Sequence, residues 1–135
     1  MRLEFVRDIR VSWGDMTAIT IEMEYLGGIL SVNRFKYQGR YTRPETKKWM
    51  AELALSIKMT CNYAEVRFKP PVKVRIGGIF RDRRSTPDLH NLAKPILDSI
   101  EQAIEINDKD FLLETGEPMV DKAQDPHLTI TISQA

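Results

Sequence analysis

The alternation of apolar and polar residues predicts the strands of this chain. A period of two over residues 17–25, and again over residues 72–80, is typical of strands with one buried face. Residues 2–11 and 128–132 are predicted to form two further strands. Residues 30–42 follow neither a strand period nor a helix period, so we expect a loop there.

Two segments follow the 3.6-residue period of an amphipathic helix instead. The first begins at Thr42-Arg43-Pro44-Glu45, which has the form of a capping box, and it places Trp49, Leu53 and Ile57 on one face. Such an apolar stripe predicts a helix that packs on the core. The second helix is expected to end near Ile104.

The start of the second helix depends on Pro95. Because proline has no main-chain donor, this helix is predicted either to kink or to begin near Asn91. If it begins near Asn91, the segment Asp88-Leu89-His90 is extended. Alternate residues of an extended chain point to the same side, so Asp88 and His90 would then reach one centre.

Length and composition predict a single domain over residues 1–135, and the predicted strands and helices make it an α+β domain. The 135 residues are 42% hydrophobic and 29% charged, which suits one domain with its own core. We expect a small mixed, mainly antiparallel sheet with two packed helices. No apolar run approaches the length of about 18 residues that a membrane span needs, and no leader is recognisable, so we expect a cytoplasmic protein. Cys61 has no disulfide partner and no neighbouring zinc ligand, which indicates a free structural thiol.

The net charge of +1 hides an uneven distribution of charge. Residues 34–84 contain 14 Lys and Arg against 4 Asp and Glu, whereas residues 98–125 contain 9 acidic residues against 2 lysines. A basic surface attracts a phosphate backbone, and a bound cation would let an acidic surface approach one. An ordinary solvated surface is the alternative interpretation of the same asymmetry.

Two acidic clusters flank the second helix. Asp88 is followed by Lys94, and Asn107-Asp108-Lys109-Asp110 comes one helix length later. Carboxylates beside a lysine are the groups needed to hold a divalent cation against a phosphodiester. Structural interpretations remain open: Thr86 could cap the helix with Asp88 near its positive end, the later acids could shape a turn, and Lys94 could be a solvated helix residue.

The D-x-x-N-x-x-K sequence that starts at Asp88, within residues 81–111, resembles the signature of RusA-type endodeoxyribonucleases, the Holliday junction resolvases of bacteria and their phages. Ser31-Val32-Asn33-Arg34, followed by Gly39-Arg40, is similar to the S-x-N-R segment and the basic loop of the same family. Two separated matches in the right order are more specific than one. The resemblance covers the chain from residue 17 onward.

This resemblance implies a structure-selective nuclease that uses Mg²⁺ or Mn²⁺ to cut four-way DNA junctions, with no small-molecule organic cofactor and no membrane partner. A homodimer is also implied, and it suits the chemistry because the two strands to be cut are related by a two-fold axis. The implied catalytic residues are Asp88, His90, Lys94 and Asp108. The implied metal ligands are Asp88 and Asp108, with Asp110 or His90 completing the site, and a one-residue shift in the turn would exchange Asp108 and Asp110. The implied DNA contacts are Asn33, Arg34, Arg40, Arg81, Arg83 and Arg84.

One position departs from the family pattern. Where members usually carry D-x-D-N, this chain has His90 between Leu89 and Asn91, so an imidazole replaces a carboxylate. A neutral nitrogen ligand favours Mn, Co or Zn over Mg. Asp98 lies about 15 Å from Asp88 if both are on one helix, so it is interpreted as structural. Two alternatives stay open, a non-cleaving branched-DNA-binding protein of the same fold and an α+β interaction module without a nucleic-acid role.

Overall fold

The computed structural model describes residues 3–14, 16–30, 36–37 and 41–135. Ten regular elements are described, in the order β1 (Val6–Ser12), β2 (Ala18–Glu24), β3 (Lys36–Tyr37), β4 (Tyr41–Thr42), α1 (Pro44–Ala64), β5 (Val72–Phe80), α2 (Ala93–Ile104), β6 (Phe111–Thr115), β7 (Met119–Val120) and β8 (His127–Gln134). These elements form the predicted α+β fold. Among the described residues, no helix combines the length and the apolar character needed to cross a membrane.

The main sheet is mixed and mainly antiparallel, as predicted. Its strand order is β1-β2-β8-β5-β6, and β7 also pairs with β5. The pairs β1–β2, β2–β8 and β8–β5 are antiparallel, whereas β6 and β7 are parallel to β5. The segment that was predicted to be a loop contains a separate two-stranded ladder of β3 and β4.

The core lies between one face of the sheet and the two helices. Its fully buried side chains come from alternate positions of the three central strands and from one stripe of each helix: Ile19, Ile21, Met23, Val72, Val74, Ile76, Ile130, Ile132, Trp49, Leu53, Ile57 and Ile100. The predicted apolar stripe of α1 is therefore confirmed. Cys61 is also buried in this core and forms no disulfide, and burial raises the pKa of its thiol.

The start of α1 differs from the predicted capping box. Arg43, not Thr42, is the N-cap residue, and it makes no side-chain cap hydrogen bond. Pro44 forces the preceding residue into an extended conformation, which Arg43 adopts with φ −55° and ψ 140°. Thr42 is displaced from the cap because it pairs with Lys36 in the small ladder.

A buried carboxylate of α1 holds the N-terminal segment against the helix. Glu52 is only 6% exposed, and its Oε1 accepts hydrogen bonds from the main-chain N–H groups of Glu4 and Phe5 at 2.7 Å and 2.8 Å. From the same helix, the Trp49 indole donates to the carbonyl of Glu24 at 2.7 Å. These contacts fix α1 across β1 and β2.

The unit β5-α2-β6 carries most of the candidate site. Parallel strands need a crossover connection, and α2 supplies it, so α2 runs antiparallel to both strands. A 3₁₀ turn over Leu89–Leu92 precedes α2, which begins at Ala93. Pro95 is then the third residue of the helix, where a main-chain donor needs no partner within the helix. The start near Asn91 is thus confirmed, and the kink is not.

Gly77 and Gly78 lie within β5 and do not interrupt its pairing with β8. Their pairing with Thr129 and Leu128 of β8 continues without a shift. A Cβ atom on Gly78 would lie 2.7 Å from a ring carbon of Phe80, so close packing explains the glycine.

Candidate metal centre and basic loop

An acidic group lies between α2 and the turn that precedes β6. Asp98 and Glu101 are three residues apart on α2, and Asp108 begins a 3₁₀ turn over Asp108–Asp110. One carboxylate oxygen of each of the three residues lies within 4.8 Å of the others, and all three side chains are half-buried. Oxygen atoms at this spacing can share one hard divalent cation.

Lys94 lies beside this acidic group. Its Nζ is 3.0 Å from Oδ1 of Asp98, one helical turn away. This hydrogen bond and the charge of Asp98 raise the pKa of Lys94, and the charges of Asp108 and Glu101 add to the effect. Lys94 is therefore a protonated ammonium group at the edge of the acids.

Asp98 and Glu101 are the members of this group that the sequence interpretation missed. Asp98 was expected to be structural because of its distance from Asp88, but its carboxylate belongs with that of Asp108. The available signal was the i, i+3 spacing of two acids on a helix whose end leads to a further acid. Asp110 lies in the same turn as Asp108 but outside the group, and its N–H donates to the carbonyl of Asn107 at 3.0 Å.

Asp88 and His90 lie at the other end of α2. Oδ1 of Asp88 accepts a hydrogen bond from the N–H of His90 at 3.0 Å, so Asp88 itself caps the 3₁₀ turn. The predicted extended conformation of His90 is wrong, because His90 belongs to this turn. The predicted cap by Thr86 is also wrong, since its hydroxyl donates to the carbonyl of Asp82 instead. Nε2 of His90 is 3.1 Å from Oγ1 of Thr115, the last residue of β6.

The two ends of the predicted site are separated by most of a helix. The turn and the first residues of α2 together advance about 15 Å between Asp88 and Asp98. Strand β6 gives a similar separation. Thr115, which contacts His90, and Phe111, which follows the turn of Asp108, are about 13 Å apart along this strand. Asp88 is accordingly not a member of the group that contains Asp108.

The loop between β5 and the 3₁₀ turn presents basic side chains. Asp82 orders this loop, because its Oδ1 accepts hydrogen bonds from the N–H and the hydroxyl of Ser85 at 2.8 Å and 2.9 Å, and these bonds lower the pKa of Asp82. Arg83 and Arg84 are exposed, and neither forms an ion pair with another described residue. Arg81 differs, since its guanidinium is 3.0 Å from Oδ1 of Asp125.

Three predicted DNA contacts, Asn33, Arg34 and Arg40, lie outside the described residues. Two further basic residues, which the sequence analysis did not select, lie on the sheet face opposite the helices. There Lys73 is 2.9 Å from Oε2 of Glu114, and Arg75 also pairs with Glu114. Lys73 and Arg75 thus both form ion pairs with Glu114, whereas Arg83 and Arg84 form none with another described residue.

Comparisons with known proteins place this chain in a family. No curated protein matches it. A solved structure, the OmpA-like domain of FopA1 from Francisella tularensis subsp. tularensis SCHU S4, is similar with a TM-score of 0.45 and 11% identity, over 97% of this chain and 82% of that one. The family model described as Endodeoxyribonuclease RusA matches residues 31–133. That match spans the acidic group, Lys94, the turn at Asp88 and the basic loop, and the chain belongs to the RusA endodeoxyribonuclease family.

Proposed function

We propose that this protein is a metal-dependent endodeoxyribonuclease that resolves four-way DNA junctions in recombination and repair, acting in a bacterial cytoplasm on chromosomal or phage DNA. The observation that supports this most is the acidic group with Lys94 at its edge, in a chain that matches the RusA family over residues 31–133. Carboxylates with a lysine at their edge suit a reaction at a phosphodiester, because a bound cation and the ammonium group would both stabilise developing negative charge.

The donor atoms fit a hard divalent cation. Carboxylate oxygens are the preferred ligands of Mg²⁺ and Mn²⁺. We propose Asp88 and Asp108 as the principal ligands, with Asp110 or His90 acting directly or through water, and Asp98 and Glu101 contributing beside Asp108. When bound, the ion lowers the pKa of a water molecule and polarises the phosphate.

The remaining chemistry belongs to side chains of this protein. Lys94, whose side chain is about half exposed, neutralises charge on the phosphate or on the leaving oxygen. Arg83 and Arg84 bind DNA phosphates, which positions the substrate without reading its sequence. Arg81, Asn33, Arg34 and Arg40 are assigned to the same surface. A homodimer supplies two such sites about a two-fold axis, as two cuts require.

A labelled four-way junction incubated with Mg²⁺, Mn²⁺ or EDTA tests this proposal. We expect symmetric cleavage with either metal, none with EDTA, and none with Asp108→Asn in any condition. Asp8→Asn, on the exposed strand β1, is the matched control and should cut like the wild type. Cleavage that persists in EDTA, or that survives Asp108→Asn, would contradict the assignment.

A non-cleaving branched-DNA-binding protein is the second candidate. The observation that favours it is His90, an imidazole within hydrogen-bond distance of Thr115 at the position where the family carries a carboxylate. In that case the junction would bind in all three conditions and stay intact. If the protein neither bound nor cut the junction, the remaining interpretation would be an α+β interaction module without a nucleic-acid role.

A further inference from the structure

Lys94 pairs with Asp98 in an arrangement that the helix itself does not favour. Lys94 is the second residue of α2, and Asp98 lies one turn later. The first turn of a helix is the positive end of its dipole, where a cation is disfavoured. The order of the pair is also the weaker one, because an i, i+4 pair is more stable when the acid comes first. The helix alone therefore gives Lys94 little reason to bend toward Asp98.

The acidic group as a whole attracts Lys94. The charges of Asp108 and Glu101 act on Lys94 together with that of Asp98. Three carboxylates whose oxygens lie within 4.8 Å of one another repel, and an ammonium group 3.0 Å from Asp98 offsets part of that repulsion. Lys94 is thus a counter-ion of the acidic group, and it uses a carboxylate that is also suited to a divalent cation.

A divalent cation and Lys94 compete for Asp98. Nζ is 3.0 Å from Oδ1 of Asp98 and Mg²⁺ lies about 2.1 Å from its ligand oxygens, so an ion on Oδ1 would be no more than about 5 Å from Nζ. At that separation the double charge of the ion repels the ammonium group more strongly than an exposed ion pair attracts it. Lys94 is the partner that moves, because its long side chain is 49% exposed.

The geometry of α2 indicates where Lys94 moves. The Cα–Cβ bonds of a helix tilt toward its N-terminus, and the N-terminus of α2 follows the 3₁₀ turn that Asp88 caps. A Lys94 side chain released from Asp98 therefore returns toward that turn. It leaves the acidic group to the ion and presents its ammonium group at the other part of the proposed site.

We propose that Asp98 exchanges Lys94 for the divalent cation, so that binding of the ion frees the ammonium group for the phosphate. This inference rests on the proposed function, since it assumes an ion beside Asp108. Asp98 is then a positioning residue, because it acts on the phosphate only through Lys94 and the ion. The exchange also orders the two events, since the ammonium group becomes available only after the ion has bound.

Mn²⁺ titrations of four proteins measure the competition in the absence of DNA. The proteins are the wild type, Lys94→Met, Asp98→Asn and the double variant, and bound Mn²⁺ is followed by the loss of the free-ion EPR signal. Lys94→Met should bind Mn²⁺ about three- to fivefold more tightly than the wild type, which corresponds to the loss of one exposed ion pair. In the Asp98→Asn background the same change should alter the affinity by less than about twofold, because the competitor no longer has its partner.

Lys109→Met is the matched control for the loss of a positive charge. Lys109 follows Asp108 in the same turn, is exposed and forms no ion pair with another described residue. Its removal should tighten Mn²⁺ binding by less than about twofold. An equal gain in Lys109→Met and Lys94→Met would show a general effect of charge and would contradict the exchange.

The mobility of the Lys94 side chain gives a second measurement. Its order parameter, obtained from ¹³C relaxation at the ε-carbon, should fall when Mg²⁺ saturates the wild type, because the ammonium group loses its partner. The signal is assigned by its absence from Lys94→Met. A side chain that stays as ordered with Mg²⁺ as in EDTA would overturn the exchange.

The outcomes separate this inference from the proposed function. Wild-type protein that cuts the junction, with equal Mn²⁺ affinities for wild type and Lys94→Met, would refute the exchange and leave the nuclease intact. A protein that shows the expected affinities and mobility but cuts no junction would support the exchange and refute the proposed function. If neither the wild type nor Lys94→Met bound Mn²⁺, both would be refuted.

Discussion

The acidic group should make the metal-free protein less stable than it would be with one carboxylate fewer. Two unit charges 4.8 Å apart repel by about 1 kcal/mol in water and by about 3.5 kcal/mol at an effective dielectric of about 20. Asp108→Asn removes two such repulsions and one weaker attraction to Lys94. Because the three side chains are only half-buried, we take the low end and expect a gain of about 1 kcal/mol in EDTA.

A bound divalent cation should make the wild type more stable than Asp108→Asn, the reverse of the order in EDTA. An ion that binds only the folded wild type adds about 2.7 kcal/mol when its concentration is a hundred times its dissociation constant. Asp108→Asn should lose most of that increment. Urea unfolding of both proteins, in EDTA and in MnCl₂, measures the two differences, with Asp8→Asn as the control for loss of a surface charge. Equal stabilisation of wild type and Asp108→Asn by Mn²⁺ would refute the reasoning.

Three further predictions concern the basic loop, His90, which departs from the family pattern, and the contact of Glu52 with the N-terminal segment. Arg83→Ala with Arg84→Ala should weaken junction binding about equally for unrelated arm sequences and reduce the salt slope by about two, because phosphate contacts release counterions; titrations at several salt concentrations measure this, and an unchanged slope would contradict it. His90→Asp should raise Mg²⁺-supported cleavage relative to Mn²⁺-supported cleavage, since a hard cation gains an anionic oxygen, and an unaltered ratio would place His90 outside the metal shell. Glu52→Ala should lower the free energy of unfolding by about 1–3 kcal/mol, because two main-chain donors lose their acceptor; denaturant unfolding in EDTA measures it, and a change below half of that would show that water replaces the carboxylate.

The parts of the fold that sequence predicted are those with local patterns. β5 was predicted with both of its boundaries because every second residue enters the core. β6 was not predicted, since its apolar Leu112 points away from the core and breaks the alternation.

The candidate site also combines features that a local sequence pattern predicts with features that depend on contacts between distant residues. The motif from Asp88 to Lys94 is contiguous and could be recognised by its spacing. The i, i+3 spacing of Asp98 and Glu101 was a signal, but it does not specify that the chain folds back after α2, which is what brings Asp108 to them. The conformation of His90 depends on the 3₁₀ turn and on Thr115, which lies 25 residues later in the sequence.

The position of β8 constrains when the protein can fold during synthesis. β8 is made after every other described element, yet it lies between β2 and β5 in the sheet and pairs with both. Until it emerges, β2 and β5 have no strand between them, and their apolar faces have no complete core to enter. Until β8 is made, the nascent chain therefore presents one open edge on β2 and one on β5, and strands from neighbouring chains compete for these edges. The pairing of β8 with β2 joins residues more than one hundred positions apart, and such contacts form slowly, so both edges stay open for longer than a local hairpin would need to close.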